Sequence, residues 1–145
     1  EARAMAWTTS FPVRFPDVDW ARVVYFPRFL DYCHRVFEDF FGAELKIPYA
    51  DVLQKLQLGF PIVHTEADFR APLRFGDTVR IVMEVVKISD RSISTRYQFF
   101  VGDGANECAC VTLVQAAIDT ASFKPTTIPA EVRRCFERHL VDTPK

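Results

Sequence analysis

The stretch that decides the fold runs from Phe15 to Gly42 and begins Phe-Pro-Asp-Val-Asp-Trp-Ala-Arg-Val-Val-Tyr-Phe-Pro, residues 15–27. A helix is predicted to begin at Pro27, because proline fits the first helical turn, where its missing N–H costs nothing. The helix is expected to end near Gly42. Between them, apolar side chains recur at the spacing of one helix face: Phe29, Leu30, Cys33, Phe37, Phe40 and Phe41. So large an apolar face must be covered, and the rest of the chain is expected to wrap it.

The remainder of the chain reads mainly as strands. A first strand is predicted over residues 7–15, a short second helix within 47–58, and a terminal helix after Pro129. Four further strands are expected, because apolar and β-branched residues alternate between turn signals: residues 60–69, 78–88, 93–101 and 108–118. A helix packed on one face of an antiparallel sheet defines the α+β class. We therefore expect a strongly curved sheet whose concave face covers the aromatic side of the long helix.

Composition and charge limit the function classes. The 145 residues fit one domain, 1–145, in which residues 1–6 are a short extension or cloning residue. The formal net charge of −1 gives no general attraction to nucleic acid or to an anionic membrane. The apolar runs are too short to span a bilayer, and no signal segment is recognised at the start. We therefore expect no nucleic-acid or membrane partner and a cytoplasmic location.

Cysteine and histidine spacing gives no metal motif. Four cysteines lie at positions 33, 108, 110 and 135, and none forms a Cys-x-x-Cys pair. The three histidines make no local ligand pattern either. The cysteines are interpreted as reduced apolar residues of the core, and no metal site is predicted.

Two aspartates in the loop before the helix are the first candidates for chemistry. Asp17 is interpreted as a turn residue, since aspartate is common in loops. Asp19 precedes an apolar run, residues 23–26, and is expected near a dry region close to the helix start. A helix N-terminus carries free N–H groups and a partial positive charge, so it can polarise a carbonyl oxygen placed there. Acidic residues near helix starts are common, so spacing alone makes this a weak hypothesis.

The segment 17–27 resembles the motif around the active-site aspartate of the 4-hydroxybenzoyl-CoA thioesterase family, which consists of hotdog-fold acyl-CoA thioesterases. Weaker similarities extend over most of the chain, at residues 60–63, 67–69, 74–77 and 124–129. The resemblance implies a hotdog fold, a curled five-stranded antiparallel sheet around one long central helix. This agrees with the fold expected from the pattern alone.

The resemblance also implies roles for residues in the motif. Asp19 matches the catalytic aspartate and would act as nucleophile on the thioester carbonyl or as general base for water. Phe26 matches the residue whose backbone N–H hydrogen-bonds the thioester oxygen. Tyr25 matches a substrate-binding position beside it. Arg22 stands where the family usually has glycine, so it changes the loop if that glycine needs a positive φ; it could meet the acyl group or a phosphate, or be a solvated surface arginine.

Three further positions are candidates for substrate binding. His64 lies beside Glu66 on a predicted strand, where it is either a hydrogen-bonded histidine of a sheet face or subunit contact, or a group lining the acyl pocket. Arg91 in a turn and Lys124 after the last long strand match basic positions that contact coenzyme A phosphates in the resembling enzymes. Exposed basic residues commonly serve only solubility, so that interpretation stays open for both.

Together these features predict an acyl-CoA thioesterase that releases a free acid and coenzyme A, with an aromatic acyl group of benzoyl or hydroxybenzoyl type. No metal or redox cofactor is implied. The resemblance implies a homo-oligomer, a dimer or a tetramer, with the active site between subunits. The alternatives are a thioesterase that acts on acyl-carrier protein and a non-catalytic acyl-CoA-binding hotdog module. Loss of Asp19 would be tolerated in such a module, so its presence counts against that alternative.

Overall fold

A computed structural model describes residues 6–141, so the expectation that the first residues are an extension or cloning residue lies mainly outside the described part. The chain contains eight strands and three α-helices within that range. The five main strands are β1 (Trp7–Pro12), β3 (Ile62–Phe69), β4 (Thr78–Ile88), β5 (Ser92–Val101) and β6 (Glu107–Ala116). The helices are α1 (Arg28–Glu44), α2 (Tyr49–Gln54) and α3 (Ala130–Glu137). Three two-residue strands, β2 (Leu58–Gly59), β7 (Ile118–Asp119) and β8 (Lys124–Pro125), complete the set.

The five main strands form one antiparallel sheet in the order β1-β4-β5-β6-β3. The three consecutive strands β4, β5 and β6 make the expected meander. β1 and β3 are the two edges, which explains why Pro12 is tolerated, since proline cannot donate to a ladder. β-Bulges interrupt the ladders at Val85/Lys87 and Phe99/Phe100, and bulges bend a strand and increase its twist.

The 17-residue helix α1 lies across the inner face of this sheet. Its rings contact the sheet directly, Phe29 with Phe99 at 5.0 Å and Tyr32 with Phe11 at 5.1 Å between centroids. The α+β class and the hotdog arrangement expected from the sequence are therefore confirmed. One assignment was wrong: Leu30 is exposed, and Tyr32 and Val36 take its place on the buried face. The helix also continues through Gly42 to Glu44 before it ends.

The far end of α1 is closed by α3 and by the small sheet β2-β7-β8. Phe40 and Phe136 stack nearly parallel, with centroids 5.7 Å apart and planes at 3°. Phe37, Phe41 and Phe60 add edge contacts to the same cluster. Much of the high phenylalanine content therefore fills the core between α1, α3 and the sheet, and this anchors the closed end of the helix while its N-terminus stays open.

The first strand is shorter than predicted. β1 ends at Pro12, and Phe15–Asp17 forms one turn of 3-10 helix that begins next to Pro16. Phe15 is therefore exposed instead of lying on the core face beside Phe11. The four cysteines are free thiols, and no group of side chains within residues 6–141 has metal-ligand geometry. In the same range, no helix has both the length and the apolar character needed to span a bilayer.

Candidate active site

The loop that carries the two aspartates is a small hairpin. The Tyr25 N–H donates to the Asp17 carbonyl at 3.0 Å, Val18 pairs with Val24, and the Asp19 N–H donates to the Val23 carbonyl at 3.0 Å. At the tip, the Arg22 N–H donates to the Asp19 carbonyl at 2.9 Å. This is the hydrogen-bond pattern of a three-residue loop that ends in a β-bulge. The backbone of Asp19 is thereby fixed by two hydrogen bonds.

Arg22 occupies the bulge position with φ = 68°. Glycine is preferred there because it lacks the Cβ atom that clashes in the left-handed region. The loop therefore has the conformation that a glycine would favour, and the positive φ is a strained backbone conformation for arginine. The difference from a glycine at this position is the side chain, which lines the same pocket as Asp19.

The Asp19 side chain is oriented by its own loop. Its Oδ1 accepts the Ala21 N–H at 2.8 Å, an Asx-turn contact that leaves Oδ2 without a hydrogen-bond partner among residues 6–141. The side chain is exposed in the single chain, in contrast to the dry surroundings expected from the sequence. One carboxylate oxygen is thus held and the other is available to a substrate or a water molecule.

Phe26 supplies the donor at the start of α1. The N–H groups of Arg28, Phe29 and Leu30 are taken by the carbonyls of Tyr25, Phe26 and Pro27, at 2.7, 3.2 and 3.0 Å. Pro27 has no N–H to offer. The Phe26 N–H has no acceptor among the described residues, and it precedes the partial positive charge of the helix N-terminus. The sequence analysis expected several free N–H groups at the start of α1, and the Phe26 N–H is the one that stays free among the described residues.

Asp17 holds the hairpin to the helix, as its interpretation as a structural residue requires. Its carboxylate is 8% exposed and accepts the Tyr32 hydroxyl at 2.7 Å and the Arg14 N–H at 3.0 Å. The Arg28 Nε lies 3.6 Å from its other oxygen. Burial and the Asp17 carboxylate raise the pKa of Tyr32, so its hydroxyl stays a donor at all ordinary pH values.

Two concave regions flank the hairpin. The first, about 320 Å³, is apolar and is bounded by the helix start, the end of β3 and the segment before β4. Its lining residues are Val23, Val24, Phe26, Phe29, Phe69, Arg70, Ala71, Pro72 and Leu73. The second, about 420 Å³, contains Asp19 itself together with Phe15, Val18, Trp20 and Arg22. The aspartate and the free N–H thus border two adjoining pockets, which suits a substrate with two parts joined at the reacting bond.

Tyr25 and His64, both predicted substrate-binding residues, have different surroundings. Tyr25 lies at the helix start with its ring exposed and 5.5 Å from that of Phe26. His64 lies on the outer face of edge strand β3, opposite Val114, with its Nε2 3.2 Å from Glu66. This matches the first of the two interpretations of His64, a hydrogen-bonded histidine on a sheet face. The side chain faces away from α1 in its own chain.

Arg91 and Lys124 lie at the other end of the sheet. The Arg91 carbonyl accepts the Ala117 N–H at 2.8 Å, and Lys124 pairs with Asp119, so both adjoin the segment after β6. The helix start instead adjoins Phe69, which pairs with Ala109 near the beginning of β6. At about 3.3 Å per residue, the two ends of this strand are about 25 Å apart. One chain therefore does not bring these basic residues to its own Asp19.

The sequence analysis did not identify three contributors to this region. The Tyr32 hydroxyl was not assigned to Asp17, although a tyrosine on the buried face of α1 needs such a partner. Phe69 contacts Phe26 and Phe29 from β3, with centroids 6.5 and 5.1 Å away, and only the sheet register brings it there. Trp20 is 100% exposed at the tip of the hairpin. A tryptophan next to Asp19 in a predicted loop was the available signal.

Comparison with known proteins gives the family. A family profile described as "Thioesterase-like superfamily" matches residues 13–136. The 1,4-dihydroxy-2-naphthoyl-CoA hydrolase of Nostoc punctiforme is 31% identical over 138 residues, 95% of this chain and 91% of that protein. A solved gentisyl-coenzyme A thioesterase is 28% identical, with a TM-score of 0.79 over 90% of this chain and 99% of its own.

A further solved structure supports the fold. A 1,4-dihydroxy-2-naphthoyl-CoA thioesterase from Synechocystis is 24% identical and has a TM-score of 0.82, covering 90% of this chain and 95% of its own. The profile match includes the aspartate hairpin, α1 and four of the five strands of the main sheet, β3 to β6. The resemblance found in the loop before α1 therefore extends across most of the described fold, and the chain belongs to the thioesterase-like superfamily as a thioester hydrolase.

Proposed function

We propose that the protein hydrolyses an acyl-CoA thioester with an aromatic acyl group to the free acid and coenzyme A. The observation that carries this is the segment 17–26: the Asp19 carboxylate, with one open oxygen, lines one pocket, and Phe26, which holds the free backbone N–H, lines a second, apolar pocket with aromatic walls. The relatives named above act on dihydroxynaphthoyl and gentisyl thioesters. A planar aryl group of that kind suits the pocket walls Phe26, Phe29 and Phe69, since offset and edge contacts between rings are favourable.

The chemistry follows from the two groups. The thioester oxygen would accept the Phe26 N–H, and the N-terminal end of α1 would stabilise the negative charge that develops there, an effect of about 10²–10³ in rate for one donor. Asp19 would either attack the carbonyl carbon or take a proton from the attacking water. In both cases the C–S bond breaks and the thiolate of coenzyme A leaves with a proton from solvent. Attack by Asp19 itself leaves an acyl-aspartyl anhydride, which a water molecule must then cleave to release the free acid and restore the carboxylate.

The active form is proposed to contain at least two copies. β3 is an edge strand whose eight residues are all exposed, including Val63 at 62%. An unpaired, partly apolar edge is a ready template for a second chain. Antiparallel pairing of two β3 strands would place the start of one beside the end of the other. The partner's His64, Arg91 and Lys124 would then approach the Asp19 end of this chain, which its own copies of these residues do not reach.

The test is thiol release from a panel of thioesters: acetyl-, long-chain, benzoyl-, hydroxybenzoyl- and 1,4-dihydroxy-2-naphthoyl-CoA, and one acyl-carrier-protein thioester. We expect the aryl-CoA substrates to be preferred and the Asp19→Asn variant to lose at least 10³ in kcat. Asp39→Asn, which removes an exposed carboxylate from the outer side of α1, is the matched control and should retain the wild-type rate.

Other outcomes identify the alternatives. Preference for the carrier-protein thioester would establish that substrate instead. Tight binding of aryl-CoA without turnover would indicate a binding module. Turnover retained in Asp19→Asn would show that the protein is a thioesterase but that Asp19 has no part in the reaction. Label in the Asp19 carboxylate after a single turnover in ¹⁸O-labelled water would identify Asp19 as a nucleophile, because a general base exchanges no oxygen with the water.

A further inference from the structure

Around the Asp19 pocket, three exposed aromatic rings and three arginines gather at one end of the molecule. We call this group the aromatic–arginine rim: Arg14, Phe15, Trp20, Arg22, Arg74 and Phe75. Trp20 is fully exposed, and Phe15 and Phe75 are 74% and 58% exposed. Most other aromatic side chains of the described fold are packed in the core, so this concentration of exposed rings calls for a binding partner.

The rim is held together by local contacts. The Phe15 and Phe75 rings meet edge to face at 5.9 Å. Arg74 pairs with Val23 in the backbone, which places it directly beside the hairpin that ends in Arg22. The Asp77 carboxylate accepts the Arg74 N–H at 2.8 Å and fixes that turn. The rim is thus a defined surface whose loops are anchored to each other.

The three arginines of the rim have no hydrogen-bond or ion-pair partner for their guanidinium groups within residues 6–141. Several other guanidinium groups in the same range are engaged: Arg96 bonds Glu84 at 2.6 Å, and Arg138 bonds Glu44 at 3.0 Å. Free guanidinium groups beside exposed rings are suited to phosphate oxygens and to planar bases, by bidentate hydrogen bonds and by stacking.

Arg22 adds a second line of argument. It holds a left-handed backbone that glycine would adopt without strain. Its side chain lines the same pocket as Asp19 and Trp20. Backbone strain persists at sites where the side chain has a use, and here the side chain adds a positive charge at the mouth of the pocket.

We propose that the aromatic–arginine rim binds the adenine nucleotide of the coenzyme A thioester, with Trp20 stacking on the base and Arg22, Arg14 and Arg74 contacting the phosphates. This deepens the proposed function and rests on it. The acyl group then occupies the apolar pocket on the Phe26 side of the hairpin, and the thioester lies between the two at Asp19. The nucleotide carries both a planar base and several phosphates, which matches the mixture of rings and unpaired cations.

Acidic groups near the rim determine where the phosphates go. Asp17 is buried and bound to Tyr32 and Arg28, and Asp77 is bound to the turn backbone. Asp19 is the exposed carboxylate in the pocket, and it repels phosphate. The phosphates are therefore assigned to the side of the rim away from Asp19, toward Arg14 and Arg74, with Arg22 between.

The first experiment measures binding without turnover. The chain has two tryptophans, and Trp7 packs against Phe40 at 6.0 Å, so a surface ligand should change the fluorescence of Trp20. Adenosine 3′,5′-bisphosphate is expected to quench this emission in a saturable way. The change should vanish in Trp20→Phe, and Arg22→Gly should weaken binding about tenfold. Arg134→Gln, which removes an exposed arginine from α3, controls for the loss of one charge.

The second experiment compares two thioesters of one aryl acid, with coenzyme A and with N-acetylcysteamine, which lacks the nucleotide. The ratio of their kcat/KM values should fall about tenfold in Trp20→Ala and in Arg22→Gly, the low end for loss of one base stack. Trp20→Phe should restore most of the ratio. Arg134→Gln should leave the ratio at the wild-type value.

Several results would overturn the proposal. An unchanged ratio, with both rates lowered, would assign Trp20 and Arg22 to the acyl group or the loop. A fall in the ratio with Arg91→Gln or Lys124→Gln, but not with Arg22→Gly, would assign the nucleotide to Arg91 and Lys124, which the proposed pairing of two chains brings to this end, and not to the rim. Binding of the rim to phosphatidylglycerol vesicles without binding of the bisphosphate would assign it to lipid. If wild type hydrolyses neither thioester, the proposed function fails, while the fluorescence result still decides nucleotide binding.

Discussion

At the scale of single residues, the left-handed backbone of Arg22 makes a stability prediction. A residue with a Cβ atom costs about 1–2 kcal/mol in this region relative to its preferred conformations. Glycine removes that cost but loses more conformational entropy on folding, about 0.5–1 kcal/mol. We expect Arg22→Gly to be more stable than Arg22→Ala by about 0.5–1 kcal/mol in urea unfolding. Both variants lack the guanidinium group, so equal midpoints would show that the loop is not strained.

A second residue-scale prediction concerns the contact between Tyr32 and Asp17. The hydroxyl donates at 2.7 Å to a carboxylate that is largely buried, and a hydrogen bond to a charged group contributes about 1.5–3 kcal/mol. Tyr32→Phe should therefore lower the free energy of unfolding by about that amount and loosen the aspartate hairpin. Tyr25→Phe, which changes an exposed ring, is the control. Equal destabilisation by the two variants would contradict the assignment.

At the scale of elements, the ends of α1 and α3 are joined by a charged contact. Glu44, the last residue of α1, accepts Arg138 at 3.0 Å and lies 3.4 Å from His139 Nε2. Burial alone would raise the pKa of Glu44, but hydrogen bonds from Arg138 and His139 outweigh it and hold the pKa below its usual range. A carboxyl group with a lowered folded-state pKa stabilises the fold above its unfolded pKa, and this contribution is lost as the pH falls through the folded-state pKa.

The prediction from this contact is a pH-dependent difference between wild type and Glu44→Gln. At pH 7 the variant should unfold at lower urea concentration. The difference should begin to shrink as the pH falls below about 4.3, where free glutamate titrates, and it should be lost only below the lowered folded-state pKa of Glu44. Glu38→Gln, on the exposed side of the same helix, should show no such convergence. A Glu44→Gln difference that does not shrink between about pH 5 and about pH 3 would show that the contact acts through packing and not through charge.

The elements also show what a sequence can and cannot predict here. The period of the apolar residues identified α1, and alternation with tight turns identified β3 to β6, because each signal is local. The end of β1 was misplaced since Phe15 continues the alternation, and only the 3-10 turn next to Pro16 removes it from the core. Leu30 was misplaced because the direction of a helix face is fixed by its tertiary contacts. The Asp17–Tyr32 bond and the position of Phe69 depend on packing between distant segments, which no local pattern contains.

For the whole molecule, the same limit applies to the site. The motif placed Asp19 and Phe26 on one segment, and their local geometry could be anticipated from hairpin and helix-start chemistry. The sequence could not show that Arg91 and Lys124 lie at the opposite end of the sheet, because their position depends on how β6 pairs with β3 and β5. The separation follows from topology alone. Because of this separation, the number of chains in the active form determines which basic residues can reach the Asp19 site.

The last prediction therefore concerns the edge strand β3. If two chains pair along it, Val63→Asp should convert the oligomer into monomers in sedimentation velocity, because Val63 is exposed on that edge and a buried unpaired carboxylate is costly. The monomer should keep its far-ultraviolet circular dichroism, since Val63 contributes nothing to the core cluster. Its thioesterase rate should fall by at least tenfold, because groups of the partner would be missing from the site. Val101→Asp, an exposed valine at the end of β5 and away from this edge, is the matched control. A Val63→Asp monomer with the wild-type rate would show that one chain holds the complete site, and the basic residues at the far end of the sheet would then have no part in the reaction.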